Sequence, residues 1–429
     1  MTSESPRLHG STGPPPSRVA DHLDGLSVQL SRMAADIRDG SLSLGAGSQE
    51  RHKVLRAAKE VIELIRQPHE IFAEWLSVLT PMAATRLFIE WRVFENIPVD
   101  DTISYAHLAS KVDVQQSILN ANLIPRVVRL AWNLLPAGIL KQVGEDRITH
   151  TPKSQLYMTR NPITGMICHM FDNSIPSLMY LPKFFETYGR REPTDRLNTV
   201  SAISHGLPGK TVWEIMTETG TMANFALAMS VEKGASWPNL GSYDIDWAVK
   251  SGAMEENKDR AILVDVGGGK GHAVEAILEV TPGLDPARCV LEDIPEIIDT
   301  AKASAGPVIA GIQFVATDFH AEQPVKGAFV YYIRRCLHDY GDDDCVNILT
   351  RLADAMKSDT RLLIVEAVQN NPPSTFAAAM DMLMISIGGK ERTLEGFRSI
   401  TSRAGLEILE VYTQPGVEGA VIECAKKST

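Results

Sequence analysis

Four things are missing from this chain, and each absence removes a class of function. No apolar run approaches the ~20 residues of a membrane-spanning helix, so no membrane role is expected. Basic residues do not predominate: 42 Lys and Arg stand against 53 Asp and Glu, a net charge of −11. That balance argues against broad nucleic-acid or anionic-surface binding. The five cysteines, at 168, 289, 336, 345 and 424, form no Cys-x-x-Cys pair. Odd and scattered, they suggest reduced thiols and a cytoplasmic location, with no disulfide framework and no metal site. A signal core is missing too, since Met1 to Pro16 is rich in Ser, Pro and Gly and reads as a disordered tail.

The 429 residues leave room for two or three domains. Four regions are expected: the tail (1–16), a helical winged-helix domain with a dimerising role (17–155), connecting helices (156–255) and a catalytic domain (256–429). Near the front, Val19, Leu23, Leu26, Leu30, Met33 and Ile37 alternate by four and three on a helix capped by Ser17. Such a seam packs against another helix, either the one carrying Val54, Ala58, Val61 and Ile65 or a partner subunit. Ile103–Lys111 and Ile124–Trp132 look like winged-helix helices, and Ile139–His150 like a two-stranded wing turning at 144–146. Asp113, Gln115, Gln116 and Asn120 leave little basic charge there to meet phosphates. A structural role is therefore expected over DNA reading. Gly209-Lys210-Thr211 has no strand before it and reads as a helix start.

The most telling stretch is Leu263-Val-Asp-Val-Gly-Gly-Gly-Lys-Gly-His272. A glycine loop between a strand and a helix is a cradle for a nucleotide-like cofactor. Gly267, Gly269 and Gly271 read G-x-G-x-G, and His272 occupies the place of the third glycine of a dinucleotide fingerprint. Asp265 before the turn is ill placed for a pyrophosphate and suits a cation such as an adenosyl sulfonium with an amino-acid tail. The next strand ends in Glu292-Asp293. An acid about 20 residues past such a loop takes a ribose diol, and Asp293 is the better placed, Glu292 reading as pointing away. The third strand ends in Asp318-Phe319, a carboxylate and an aromatic face for adenine. The bland alternative makes these acids helix caps or solvated loop acids.

The alternation from 261 onward predicts seven strands with an antiparallel last one, an α/β Rossmann-like sheet. Strand 327–333 runs into Arg334-Arg-Cys-Leu-His338-Asp339-Tyr340, strand 360–367 delivers Glu366, and a later loop carries Glu391. A histidine with two carboxylates in reach is the layout of an oriented general base. Singly, His338 could be a loop histidine, Glu366 a helix cap and Glu391 the partner of Arg392 in a surface pair.

Six stretches in order, VDVGGGKG (264–271), LEDIPEII (291–298), Asp318-Phe319, RRCLHDY (334–340), LLIVEAV (362–368) and GGKERT (388–393), resemble the small-molecule O-methyltransferases of plant caffeate/flavonoid and fungal polyketide type. The resemblance extends forward through the winged-helix region. It implies S-adenosylmethionine as cofactor, no metal, a small aromatic substrate and a homodimer with intertwined front helices. Gly267 to Gly271 and Asp293 would hold its methionine and ribose parts, Asp318 and Phe319 its adenine. Arg334 replaces a family lysine near the cofactor. His338 would be the base, bracketed by Glu366 and Glu391. Asp339, Met382 and Ser386 would lie toward the substrate, Met382 packing on its ring. Ser386 stands where an Asn is frequent, and Tyr340 where a Trp is usual.

A phenol near pKa 10 and a histidine near 6.5 differ by about 3.5 units, roughly 5 kcal/mol. Flanking carboxylates would narrow that gap, so an aromatic or enolic hydroxyl is the expected acceptor. Two other functions remain open. One is a pericyclase or dehydratase on the same scaffold, against which the retained His338-Asp339 pair speaks; the other is a cofactor-sensing DNA-binding regulator.

Overall fold

Proline opens the first helix. Its missing N–H falls where a helix has no intrahelical partner anyway, so α1 runs Pro16–Arg38 and takes in the expected cap, Ser17. The structure, a computed structural model, describes residues 16–41, 49–112, 126–229, 239–414 and 419–427. The expected tail before Pro16, the Ser/Gly link, the residues from Asp113 to Asn120 and the tip of the 414–419 turn lie outside the described residues. The chain divides into two units, Met1–Thr80 and Pro81–Thr429.

In the first unit α1 packs on α2 (Gln49–Ile65), burying Leu26, Met33 and Ala57. Ala57, rather than the expected Ala58, faces the seam, and Ile65 stays exposed. Helix α3 (Ile71–Glu90) is apolar nearly all round.

In the second unit β1 (Ile103–Ser104) pairs with β3 (Arg147–His150), which pairs with β2 (Leu140–Val143). The wing is thus present, and Ile103, expected to begin a helix, extends it as a third strand. Ser104 then caps α4 (Tyr105–Lys111) by accepting from the His107 N–H, and α5 (Arg126–Leu134) follows. Phe88, Phe94, Leu108, Leu134 and Ile148 form their common core. The connecting helices are α6 (Pro152–Gln155), α7 (Pro162–His169), α8 (Ile175–Tyr188), α9 (Val200–Ser204), α10 (Val212–Glu218), α11 (Met222–Met229) and α12 (Asp246–Gly252). Thr211 caps α10 reciprocally with Glu214, the helix start expected there.

The large sheet uses β4 (Leu263–Val266), β5 (Cys289–Asp293), β6 (Gln313–Ala316), β7 (Val330–Arg334), β8 (Arg361–Gln369), β10 (Leu406–Thr413) and β11 (Gly419–Lys426) in the order β10-β11-β8-β7-β4-β5-β6. Strands β4 to β8 run parallel, and β11 is antiparallel to both neighbours. A two-residue β9 (Arg392–Thr393) extends β8. Helices α13 (His272–Val280), α14 (Pro295–Ser304), α15 (Asp342–Ala355), α16 (Thr375–Ile385) and α17 (Leu394–Arg403) intervene. Side chains alternate across a strand, so Val330 and Tyr332 enter one core and Tyr331 and Ile333 the other. The chain leaves β4 toward β5 and β6, then returns to β7 on the opposite side. The crevice beyond the carboxyl ends of β4 and β7 is therefore the switch point where open α/β sheets bind ligands.

Candidate active site

Gly267 and Gly269 take left-handed φ of 68° and 61°, which bend the chain out of β4, while Gly271 (φ 83°) caps α13. Spacing alone missed Gly268, the tightest of the four. A Cβ there would lie 2.4 Å from Asp265 Oδ2 and 2.4 Å from Leu291 Cδ1. A Cβ on Gly269 would meet nothing within 4 Å, so open space lies over the loop. Asp265 sits beneath it, 1 % exposed. Neither of its oxygens has a hydrogen-bond partner among the described residues, and the Val274 amide comes only near enough to lower its pKa slightly. Burial lifts that carboxyl to about 7 against the opposing pull of Arg334.

Asp293 accepts from the Gly269 N–H through Oδ2 and from the Ile294 N–H through Oδ1, each at 2.8 Å. It braces the loop, and Ile294, not Asp293, is the N-cap of α14. Glu292 does turn elsewhere, accepting from Gln323 at 2.8 Å. Asp318 is exposed and accepts from the His320 N–H. Phe319 lies beside Gly267 and meets Tyr340 edge to face at 5.7 Å.

Beyond β7, Arg335 adopts φ 53°, rare for a residue with a side chain, and a tight turn, Leu337–Asp339, follows. Glu366 fixes that turn by accepting from the Cys336 and Leu337 N–H groups, both at 2.9 Å. Its other oxygen is 3.1 Å from His338 Nδ1, close enough for charge attraction although the ring N–H is not aimed along that line. Glu391 Oε1 is 3.7 Å from the same nitrogen, and Asp339 Oδ1 is 3.5 Å from Nε2. The two glutamates therefore share one ring nitrogen instead of bracketing the ring; the tight turn places Asp339 on the other.

Burial drives the His338 ring toward neutrality, but Glu366 and then Asp339 outweigh it and raise its pKa to about 9. Burial would also raise Glu366, yet the facing His338 holds it below the usual range. Glu391 is lifted by burial to about 7.

The loop after α16 is clamped to this turn. Lys390 N–H donates to the His338 carbonyl at 2.8 Å, and a Cβ on Gly389 would fall 2.2 Å from that oxygen. Glu391 N–H donates to Asp381 Oδ1 at 2.9 Å. Arg392 does not pair with Glu391 at the surface. It is 2 % exposed and binds the Leu337 and Tyr340 carbonyls and Asp342. Gly389 and Arg335 stood in the quoted motifs, and Asp381 next to Met382, without being singled out. Met382 is 45 % exposed on α16. Ser386 is buried, and its hydroxyl donates to the Leu383 carbonyl at 2.6 Å.

Residues 254–407 match a family described as an O-methyltransferase domain. Methyltransferase pvhD of Talaromyces variabilis is 35 % identical over 83 % of this chain and 96 % of its own length. The crystal structure of OxaC in complex with SAH and oxaline superposes with TM-score 0.80 at 23 % identity, over 95 % of this chain and 100 % of that one. A structure described as a pericyclic reaction enzyme reaches 0.77 at 21 % identity, over 95 % and 100 % of the two chains.

Proposed function

The chain belongs to the O-methyltransferase family, and from that membership we propose that it methylates an aromatic or enolic hydroxyl of a small secondary metabolite, with His338 holding the acceptor's proton. One observation carries this reading: a buried imidazole with Glu366 and Glu391 on Nδ1, at the end of the strand beside the glycine loop.

The residues present suit S-adenosylmethionine. The unpartnered Asp265 carboxylate fits its cationic end, Asp293 its ribose diol, Phe319 with Asp318 its adenine, and the glycine loop admits its close approach. Arg334 moderates the charge of Asp265. When bound, this cofactor supplies an already activated sulfonium methyl. The protein's part is alignment, which can contribute roughly 7–11 kcal/mol, and control of one proton. With His338 at about 9, the gap to a phenol shrinks to about one unit, or roughly 1.4 kcal/mol. Glu366 orients the ring, and Asp339 and Met382 lie toward the acceptor.

The test is mass spectrometry of purified protein with methyl-labelled S-adenosylmethionine and a panel of phenolic and enolic polyketides. We expect one methyl transferred to oxygen, located by NMR, and a loss of at least a hundredfold in kcat for His338→Ala, the scale of general-base catalysis. Unchanged turnover in that variant would remove His338 from this role. The likeness to a pericyclic reaction enzyme motivates the second reading; a product of unchanged mass with the cofactor intact would favour it.

A further inference from the structure

Arg392 ties together the segments that carry the base and its acids. The side chain is 2 % exposed, and the five N–H groups of a guanidinium are matched here by five hydrogen bonds. Nε donates to Asp342 Oδ1 at 3.0 Å, and Nη2 donates to the same oxygen at 2.8 Å and to the Tyr340 carbonyl at 2.9 Å. Nη1 donates to the Leu337 carbonyl at 3.0 Å and to the Lys390 carbonyl at 3.1 Å. Leu337 and Tyr340 flank the His338-Asp339 pair, and Lys390 immediately precedes Glu391. One nitrogen therefore bridges the turn that carries the imidazole and the loop that carries Glu391. The backbone of Arg392 pairs with Val368 in β8, the strand of Glu366.

The charge of Arg392 is met by Asp342: burial would raise that carboxyl, yet Arg392 holds it below the usual range. The acids facing the ring are Glu366, Asp339 and Glu391, and the guanidinium of Arg335 acts on all three. Glu391 Oε1 lies 3.7 Å from His338 Nδ1, a nitrogen with no hydrogen-bond partner among the described residues. No direct bond fixes that spacing, so the backbone on either side must. We propose that Arg392 is a positioning residue, which holds His338 and Glu391 in register and so sets how well the ring takes the acceptor's proton. A lysine keeps the charge, but its donors sit on one atom without the planar fork, and the bridge between the two segments is lost. The inference rests on His338 as the acceptor's base.

The first measurement needs no acceptor. The His338 signals in long-range 1H–15N spectra of histidine-labelled full-length protein, assigned by their loss in His338→Gln, are followed against pH. In Arg392→Lys the ring's titration midpoint should fall by about half a pH unit or more as Glu391 moves off. An unchanged midpoint in the folded variant overturns the proposal. The second measurement is a kinetic cycle. Arg392→Lys should lower kcat about tenfold or more, the scale of a small misplacement, with the Kd for S-adenosylmethionine within about twofold of wild type. In the His338→Ala background the same substitution should cost less than about twofold, because the group it positions is gone. An equal loss in both backgrounds, or a Kd that weakens in step with kcat, would make the role merely structural. Should Arg392→Lys fail to fold, Asp342→Ala carries the test. It removes two of the five bonds at a partly exposed position and should move midpoint and kcat in the same directions by smaller amounts; no change in either overturns the proposal. A moved midpoint in a protein that methylates no hydroxyl defeats the methyltransferase reading and leaves the positioning intact. An unmoved midpoint alongside lost methyl transfer in His338→Ala does the reverse.

Discussion

Burial alone would leave the His338 ring neutral, and the acids around it reverse the outcome. Linkage gives the consequence its sign. The folded pKa of about 9 exceeds the unfolded value near 6.5, so the stabilisation from this ring is complete below pH 6.5 and lost as pH rises through 9. A base that takes the acceptor's proton must be neutral, and the neutral ring appears over the same range. Plotted against pH, kcat/KM should therefore rise along a limb centred near 9. Glu366→Gln removes the largest raising influence and should move that alkaline limb down by a unit or more. An unmoved limb would assign it to another group. Asp265 gives a companion test with its own sign. Its carboxyl, held near 7 by burial, makes a stability contribution that is present below about pH 4 and disappears as pH rises through 7. A cation bound beside it compensates most when it is ionised. The rise in Tm produced by S-adenosylmethionine should thus be larger at pH 8 than at pH 6, and Asp265→Asn should erase the difference. At this scale His338, Glu366 and Glu391 were legible because titratable residues stand out at strand ends. Arg335 was not, since its role depends on a left-handed backbone turn that no spacing encodes.

Two loops hold the site, and they were legible to different degrees. The glycine run announced the first because four glycines fall within five residues after a strand. The second, 388–391, showed only its charged residue, although its tightest constraint is steric. Gly389 lies against the His338 carbonyl, where a Cβ would fall at 2.2 Å. Gly389→Ala must shift either the loop or the turn that carries the imidazole. We expect a loss of about 1–3 kcal/mol, typical of overpacking, read from denaturant midpoints, with kcat falling further than stability explains. Wild-type kcat in a destabilised variant would show that the clamp does not position the ring. The long strands were placed to within a few residues because their apolar runs end at glycine, proline or acid. β1 and β9, two residues each, are too short for any period-2 signal, and pairing with distant partners defines them.

At the scale of the molecule, the apolar front of α3 stays exposed among the described residues. Ile71, Phe72, Trp75, Leu76, Val78 and Leu79 are 43–67 % exposed, on a helix that is apolar nearly all round. A helix of that kind is normally buried, and a contiguous patch of this character marks an association surface. We propose that a second copy of the chain covers it, which agrees with the homodimer implied by the family resemblance. Periodicity at the front of the chain suggested association but could not say which helix carries it. The α1–α2 seam closes largely within the chain through Leu26, Met33 and Ala57, and the front of α3 is left exposed among the described residues. Phe72 and Trp75, 67 % and 61 % exposed, have the character of aromatic anchors, whose truncation costs about 2 kcal/mol or more, roughly thirtyfold in Kd. Sedimentation velocity should give twice the 47.0 kDa of one chain, and Phe72→Ser with Trp75→Ser should shift it toward the monomer with the circular dichroism unchanged. A wild-type monomer across the micromolar range would leave this face to a different partner.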